Sequence, residues 1–304
     1  MGMCDNIDVL NNEVFGNVAG IEIENSRHCL VENNLAYDNT GGILAFITPG
    51  LPIKTTFDVI IRNNFVTRNN HENFGAPGSI VSGIPPGTGI LVMAADDVVI
   101  ENNIISGNDN AGIIITDFEN GGAQASNDPE SEPNPDRIVL LDNFMIDNGN
   151  NPVGELKALM LTQLSTTGPD ILAIGGGVGS SIRNRDRYRT WGLGDYGIPS
   201  ISDTRAVQTF LLEEPAEPRV ISKEDLGEMT YYGICSGCHA YDIRLIGVPT
   251  NVIQMIYKDN PKGIVEYITK PKNLRDDYPE MPPQDYLSEE AKLAVAEYIL
   301  SIKK

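Results

Sequence analysis

Cys235, Cys238 and His239 stand in the stretch "YYGICSGCHAYD", and their spacing is the one place in the chain that points to defined chemistry. A C-x-x-C pair alone suits a redox dithiol or half of a zinc site, but a His directly after the second Cys is the signature of covalent c-type haem attachment. Two thiols about one helical turn apart can add to the two vinyl groups of the porphyrin, and the next residue is then held under the iron as the proximal ligand. A zinc site would need further Cys or His ligands nearby, whereas His28, His71, Cys4 and Cys29 all lie more than 150 residues away.

The second axial ligand must come from downstream, and "ITKPKNLRDDYPEMPPQDY" offers Met281. Pro282 and Pro283 stiffen the loop around its thioether. Met229 and Met255 read instead as core filler. His and Met together leave the iron no open position and favour its reduced form, so the expected role is electron relay rather than catalysis at the metal.

Two helices must frame this site. Ser222 begins one as N-cap of "SKEDLGEMTYYGI", and Ser288 begins the other ahead of Glu289 and Glu290. Gly227 and Tyr231, one turn apart, would let the first helix cross closely against Tyr298 of the last. Residues 219–304 resemble a small class I cytochrome c. That resemblance implies that Pro249 orients His239 through its backbone carbonyl, that "NPKGIVEYITKP" is the helix before the Met loop, and that Tyr257, Ile264 and Ile268 wall the haem pocket.

The rest of the chain repeats. "IDVLNNEVFGN", "HCLVENNLAYDN", "DVIIRNNFVTRN", "DVVIENNIISGN" and "RIVLLDNFMIDN" align so that Asn12, Asn34, Asn64, Asn103 and Asn143 are each followed five residues later by Asn17, Asn39, Asn69, Asn108 and Asn148. The intervals between copies are 22, 30, 39 and 40 residues, a 22-residue unit with insertions. Short period-2 segments parted by Asn or Gly bends in so small a unit describe one coil of a parallel β-helix. Alternation then turns Val98, Ile100 and Asn102 inward, and Val99 and Glu101 outward. Asn tolerates the left-handed bend and can bond the equivalent Asn one coil away.

The stretches "NVAGIEIENS", "NTGGILAF", "GTGILVMAADDVVIENN" and "PDILAIGGG" resemble a family of right-handed parallel β-helix repeat proteins, relatives of polysaccharide lyases and epimerases. The whole chain is thus expected to be an all-β right-handed parallel β-helix over 1–174, an irregular connecting region and linker over 175–218, and a small all-α cytochrome c domain over 219–304. Against the family pattern the chain begins in mid-coil, so further N-terminal coils and the export signal are expected to precede it. Insertions at Thr48–Thr56, Asn70–Gly87 and Phe118–Asp136 would emerge as loops, where a binding face could include Asp96, Asp97, Asp117 and Glu119.

Between the two parts, the glycines of "GGGVGSSIRNRDRYRTWGLGDYGIPSISDT" lack the dinucleotide fingerprint, because Ser180 stands where the third Gly belongs. Arg183, Arg185, Arg187 and Arg189 could meet an acidic partner, brace the domains or line a solvated strand. Pro215 and Pro218 mark the linker. Cys4 and Cys29 are 25 residues apart where the repeat is 22, which disfavours a disulfide.

Charge bounds the partners. The chain of 304 residues has a formal net charge of -20, and 29 of its 42 acids against 11 of its 22 bases fall in residues 1–217. Such a surface disfavours nucleic acid and anionic membranes as partners and suits a cationic partner, divalent ions or simple solubility. There is no long apolar run to cross a membrane. The expectation is a protein carrying one covalent haem c, exported to the periplasm or cell surface, relaying electrons to a redox partner protein, with the β-helix as a docking platform for which polysaccharide is one candidate ligand. The alternatives are a lyase- or epimerase-like enzyme with an accessory haem, and a structural or adhesion solenoid.

Overall fold

The computed structural model describes residues 2–121, 128–200, 221–273 and 277–303, and these form two compact units. The linker expected at Pro215 and Pro218 lies outside the described residues.

The first unit is a parallel β-solenoid of three sheets. Each of the first five coils contributes one strand to each sheet in turn, and the last contributes to the first and third alone among the described residues. Among the described residues the first sheet takes Asp5–Leu10, Arg27–Glu32, Phe57–Arg62, Asp96–Glu101, Val139–Leu141 and Ser181–Ile182. The second takes short strands from Glu13–Val14 to Phe144–Ile146. The third takes Ala19–Glu24, Gly41–Phe46, Thr88–Met93, Ala111–Thr116, Ile171–Ile174 and Thr190–Trp191.

Register follows from what each strand turns inward. In the third sheet Ile21, Ile43, Ile90, Ile113 and Ile171 pair in one column, and Ile23, Ala45, Val92, Ile115 and Ala173 in the next. Both columns belong to the core that runs along the solenoid axis. A one-residue slip would put every one of these side chains on the other face, so the burial fixes the pairing.

The bends are built from two adjacent residues. Asn11, Asn33, Asn63, Asn102 and Asp142 adopt left-handed backbone with φ of 57, 57, 55, 52 and 45°. The Asn that follows each one turns inward and bonds its counterpart. Nδ2 donates to Oδ1 of the next coil at 2.9 Å from Asn12 to Asn34, 2.9 Å from Asn34 to Asn64, 3.0 Å from Asn64 to Asn103 and 2.9 Å from Asn103 to Asn143. A second ladder runs from Asn17 through Asn39, Asn69 and Asn108 to Asn148. This corrects one expected orientation: Asn102 is exposed and Asn103 is buried, because the left-handed residue breaks the strict alternation that holds for Val98 and Ile100.

The solenoid continues past residue 174 into the region expected to be irregular. Ser181–Ile182 pairs with Val139–Leu140, Thr190–Trp191 pairs with Ile171–Leu172, and Ser181 bridges Gly197. Here the ladders end. The Tyr188 hydroxyl donates to the Asn143 carbonyl at 2.9 Å, and Arg189 donates to the Asn148 carbonyl at 2.5 Å while pairing with Asp170 at 2.8 Å. Arg183 pairs with Asp142 at 3.3 Å and Arg185 donates to the Leu193 carbonyl at 2.7 Å. Three of the four alternate arginines therefore bond within the solenoid's own last turns. One helix, α1 (Gly154–Thr162), interrupts the repeat between its second and third sheets.

The second unit is helical: α2 (Lys223–Thr230), a π-helical turn at Tyr231–Cys235, α3 (Thr250–Ile256), α4 (Pro261–Thr269) and α5 (Glu289–Ser301). Ser222 and Ser288 cap α2 and α5 as expected, accepting from the Asp225 and Ala291 backbone N–H groups. A Cβ at Gly227 would lie 2.5 Å from the Ala294 carbonyl oxygen and 3.0 Å from Tyr298 Cβ, so α2 and α5 cross in contact at the glycine. Met229 and Met255 are exposed instead of filling this core, since they lie on the outer faces of α2 and α3.

Candidate functional site

The C-x-x-C-H element leaves the π-helical turn, where the wider winding carries Cys235 out of α2. The Tyr231 hydroxyl donates to the His239 carbonyl at 3.1 Å and bonds the Thr250 hydroxyl at 2.9 Å. The Thr250 N–H in turn donates to the Ala240 carbonyl at 2.8 Å. The backbone around His239 is thus held from both sides.

The imidazole is oriented by Val248. Its Nδ1 lies 2.7 Å from the Val248 carbonyl oxygen, which requires Nδ1 to carry the proton and leaves the Nε2 lone pair free. Val248 precedes the expected Pro249, which instead sits at the N-cap of α3 with φ of -55° and aims the carbonyl before it. Burial pushes the His239 pKa down, so the ring is held neutral against the opposing pull of that hydrogen bond. Gly247 lies flat against the ring: a Cβ there would stand 2.3 Å from His239 Cε1 and 2.8 Å from Nε2.

Cys235 and Cys238 are not joined in a disulfide. Burial, then the proximity of Cys238, pushes the Cys235 thiol up to about 12. Redox-active C-x-x-C pairs do the reverse and depress a thiol into or below the neutral range. Among the described residues no group of three or more His, Cys, Asp or Glu is placed to hold a metal ion.

Met281 packs half-buried on the same apolar cluster as Cys235, Tyr257, Ile264 and Ile268, with Ile264 and Ile268 buried in it. Of the residues singled out from 235 to 281, the structure therefore gathers Cys235, Tyr257, Ile264, Ile268 and Met281 on one cluster. Two anchors of the Met281 loop were missed. Arg244 lies over the Tyr278 ring at 4.1 Å and hydrogen-bonds the Asp277 carbonyl, tying the loop after His239 to the loop before Met281. Gln284, buried, donates from its backbone to the Ile268 carbonyl at 2.8 Å and from its side chain to the Pro282 carbonyl at 2.9 Å. Neither carried a local signal, because Arg244 and Ile268 are far in sequence from what they hold.

The residues present fit a haem c. They supply two thiols for thioether bonds, a neutral imidazole with one tautomer enforced, a glycine where any side chain would displace that imidazole, and a half-buried thioether on an anchored loop.

The acids of the solenoid do not form a comparable set. All four lie at the corner between the third and first sheets. Asp96 and Asp97 share Arg137 at 2.7 and 3.1 Å. Burial pushes the Asp96 carboxyl up from its ordinary value, opposed by bonds from the Asp136 N–H and Arg137. Asp117 accepts from the Asn120 N–H at 2.7 Å and occupies space beside Gly175 that a Cβ would need. Glu119 is exposed. Asp128, from the third insertion, instead accepts from Lys54 Nζ at 2.7 Å and from the Gly50 N–H at 2.9 Å, which staples that insertion to the first. His28 bonds Asp58 and His71 is exposed beside Phe74, so neither joins a site.

Over residues 1–150 the chain matches the family model of the right handed beta helix region. No curated protein and no solved structure matches it.

Proposed function

We propose that the helical unit is a cytochrome c module that relays single electrons, and that the β-helix serves it as a carbohydrate-related or structural platform. The observation that carries this reading is the seating of His239: its Nδ1 proton on the Val248 carbonyl, its ring against Gly247, and Cys235 and Cys238 in the attachment spacing directly before it.

Cys235 and Cys238 would hold a haem c by thioether bonds, and His239 Nε2 and Met281 Sδ would bind its iron. When bound, the haem supplies a one-electron iron couple. Val248 and Gly247 fix the imidazole, while Arg244 and Gln284 fix the Met281 loop, so these residues would present the same two ligand atoms to either oxidation state of a bound haem. Tyr257, Ile264 and Ile268 would give a bound haem an apolar wall, a setting that favours the less charged, reduced iron. Attachment of haem to this motif takes place outside the bacterial cytoplasm, so the protein acts there with a redox partner protein. Among the described residues no helix is long and apolar enough to cross a membrane.

The test is export of the full chain in a host with c-type haem maturation. The expected product carries one haem that survives denaturation and shows the weak red absorption band of Met-ligated ferric iron. Protein exported alongside a correctly matured control cytochrome, yet lacking covalent haem, would overturn the reading.

A further inference from the structure

The outward faces of the three sheets differ in kind. That of the first is charged, with Arg62 paired to Glu32 and Glu101 of the adjacent coils. That of the third is apolar but covered, since Leu44, Leu91, Ile114 and Leu172 lie buried in a second cluster outside the axial core. The second sheet is apolar and open. Its strands turn Ala36, Val66 and Ile105 inward, and the outward column beside them runs Leu35, Phe65, Ile104 and Phe144 in register. Phe65, Ile104 and Phe144 are 43, 46 and 54% exposed. The next outward column runs Tyr37, Thr67, Ser106 and Ile146, and in the first coil the exposed Phe15 stacks on Tyr37 at 5.3 Å.

Polar groups border this strip on both sides. The left-handed bends before it place one exposed amide per coil, at Asn11, Asn33, Asn63 and Asn102. The bends after it carry Asp38, Arg68 and Asp147, all exposed, and Glu13 on the first strand is exposed as well. Three acids thus stand against one base around a strip that belongs to the acidic part of the chain. Negative charge beside aromatic rings favours a cation, because the face of the ring itself attracts positive charge.

From this arrangement we infer that the outward face of the second sheet binds a linear β-1,4-linked amino sugar polymer, the chemistry of chitosan, laid along the solenoid axis. Coils stack about 4.8 Å apart, close to the advance of one sugar along such a chain, so each sugar meets one apolar residue and one bordering amide. Successive sugars in a β-1,4 chain turn by half a revolution, so Phe65 and Phe144, two coils apart, meet like faces of alternate sugars. The C–H faces of the sugars cover the strip, the amides bond hydroxyls, and the ammonium groups answer Glu13, Asp38 and Asp147. A uronate polymer would instead bring carboxylates to those acids. The inference rests on the carbohydrate side of the platform reading and is independent of the haem.

Calorimetric titration of the full-length protein with three hexamers separates charge from shape: β-1,4-linked glucosamine, the same chain N-acetylated, and hexalysine. In mildly acidic buffer, where the amines are protonated and the carboxylates ionised, the glucosamine hexamer should bind, and more weakly as salt is raised. The acetylated hexamer keeps the sugar faces without the charge, and hexalysine keeps the charge without the faces, so each should bind at least about tenfold more weakly. Phe65→Ser combined with Phe144→Ser should weaken the glucosamine hexamer about tenfold, whereas Phe74→Ser, at an exposed Phe outside the strip, should leave it unchanged. Both rings of the double variant are exposed, so it keeps its core, which urea unfolding checks. Unchanged binding to the folded double variant would overturn the site yet leave the carbohydrate reading standing, whereas no heat from either saccharide would remove that reading as well. Hexalysine or the acetylated hexamer binding as tightly as glucosamine would overturn the ligand class.

Discussion

Asn64→Ala removes one rung from the middle of the first asparagine ladder, and its cost can be worked from four bonds. Asn64 is buried, and its Oδ1 accepts from both the backbone N–H and Nδ2 of Asn34, each at 2.9 Å. Its Nδ2 donates to the Val31 carbonyl at 2.9 Å and to Asn103 Oδ1 at 3.0 Å. After the change Asn34 Nδ2 keeps the Val9 carbonyl, and Asn103 Oδ1 keeps the Asn64 N–H. The Asn34 N–H loses its side-chain acceptor, and the Val31 carbonyl loses a donor. Leaving a buried polar group unmade costs about 1–3 kcal/mol, so the expected loss is about 3 kcal/mol with its cavity included. Asn12→Ala is the control, because Asn12 lies exposed at the first rung and water replaces its bonds; its cost should stay below about 1 kcal/mol. Urea unfolding followed by the emission of Trp191, the sole tryptophan, reads the solenoid directly. The midpoint should fall with the slope unchanged. Equal small losses at Asn12 and Asn64 would refute the claim that buried ladder bonds hold the coils in register.

Gly247→Ala should displace the His239 ring and cut the yield of haem-loaded protein severalfold, read as haem absorbance per polypeptide, because the added Cβ would lie 2.3 Å from Cε1. Gly227→Val should destabilise the helical unit by about 2 kcal/mol, measured by thermal unfolding, since α2 and α5 have no room for a side chain there. For Asp128, burial raises the carboxyl pKa, but bonds from Lys54, the Gly50 N–H and Ser131 outweigh it and hold the value below 3.8. The stability this adds is present above about pH 4 and lost as pH falls through the lowered folded value. The advantage of the unaltered protein over Asp128→Asn in urea, about 2 kcal/mol at neutral pH, should therefore shrink on acidification.

Local signals carried the parts of the molecule whose partners recur at fixed spacing. Five Asn pairs announced the coil length, the bends and both ladders, because each rung bonds its own counterpart one repeat away. Cys235, Cys238 and His239 were legible as a motif because they lie within one turn of backbone. Ser222 and Ser288 announced helix starts, since a cap bonds two or three residues ahead.

Contacts between unlike, distant residues were not legible. Val248 rather than Pro249 holds the imidazole, and Arg244 and Gln284 anchor the Met281 loop across long sequence gaps. Tyr188 and Arg189 close ladders whose last rungs lie about 40 residues earlier, so a stretch without periodicity proved to be part of the solenoid. The outward apolar columns of the second and third sheets are the furthest case: each strand alone reads as an apolar run, and only stacking the coils decides that one face lies open and the other under a second cluster. Periodicity records which residues repeat; which of two apolar faces is enclosed depends on what packs over it, and that is fixed by the insertions in three dimensions.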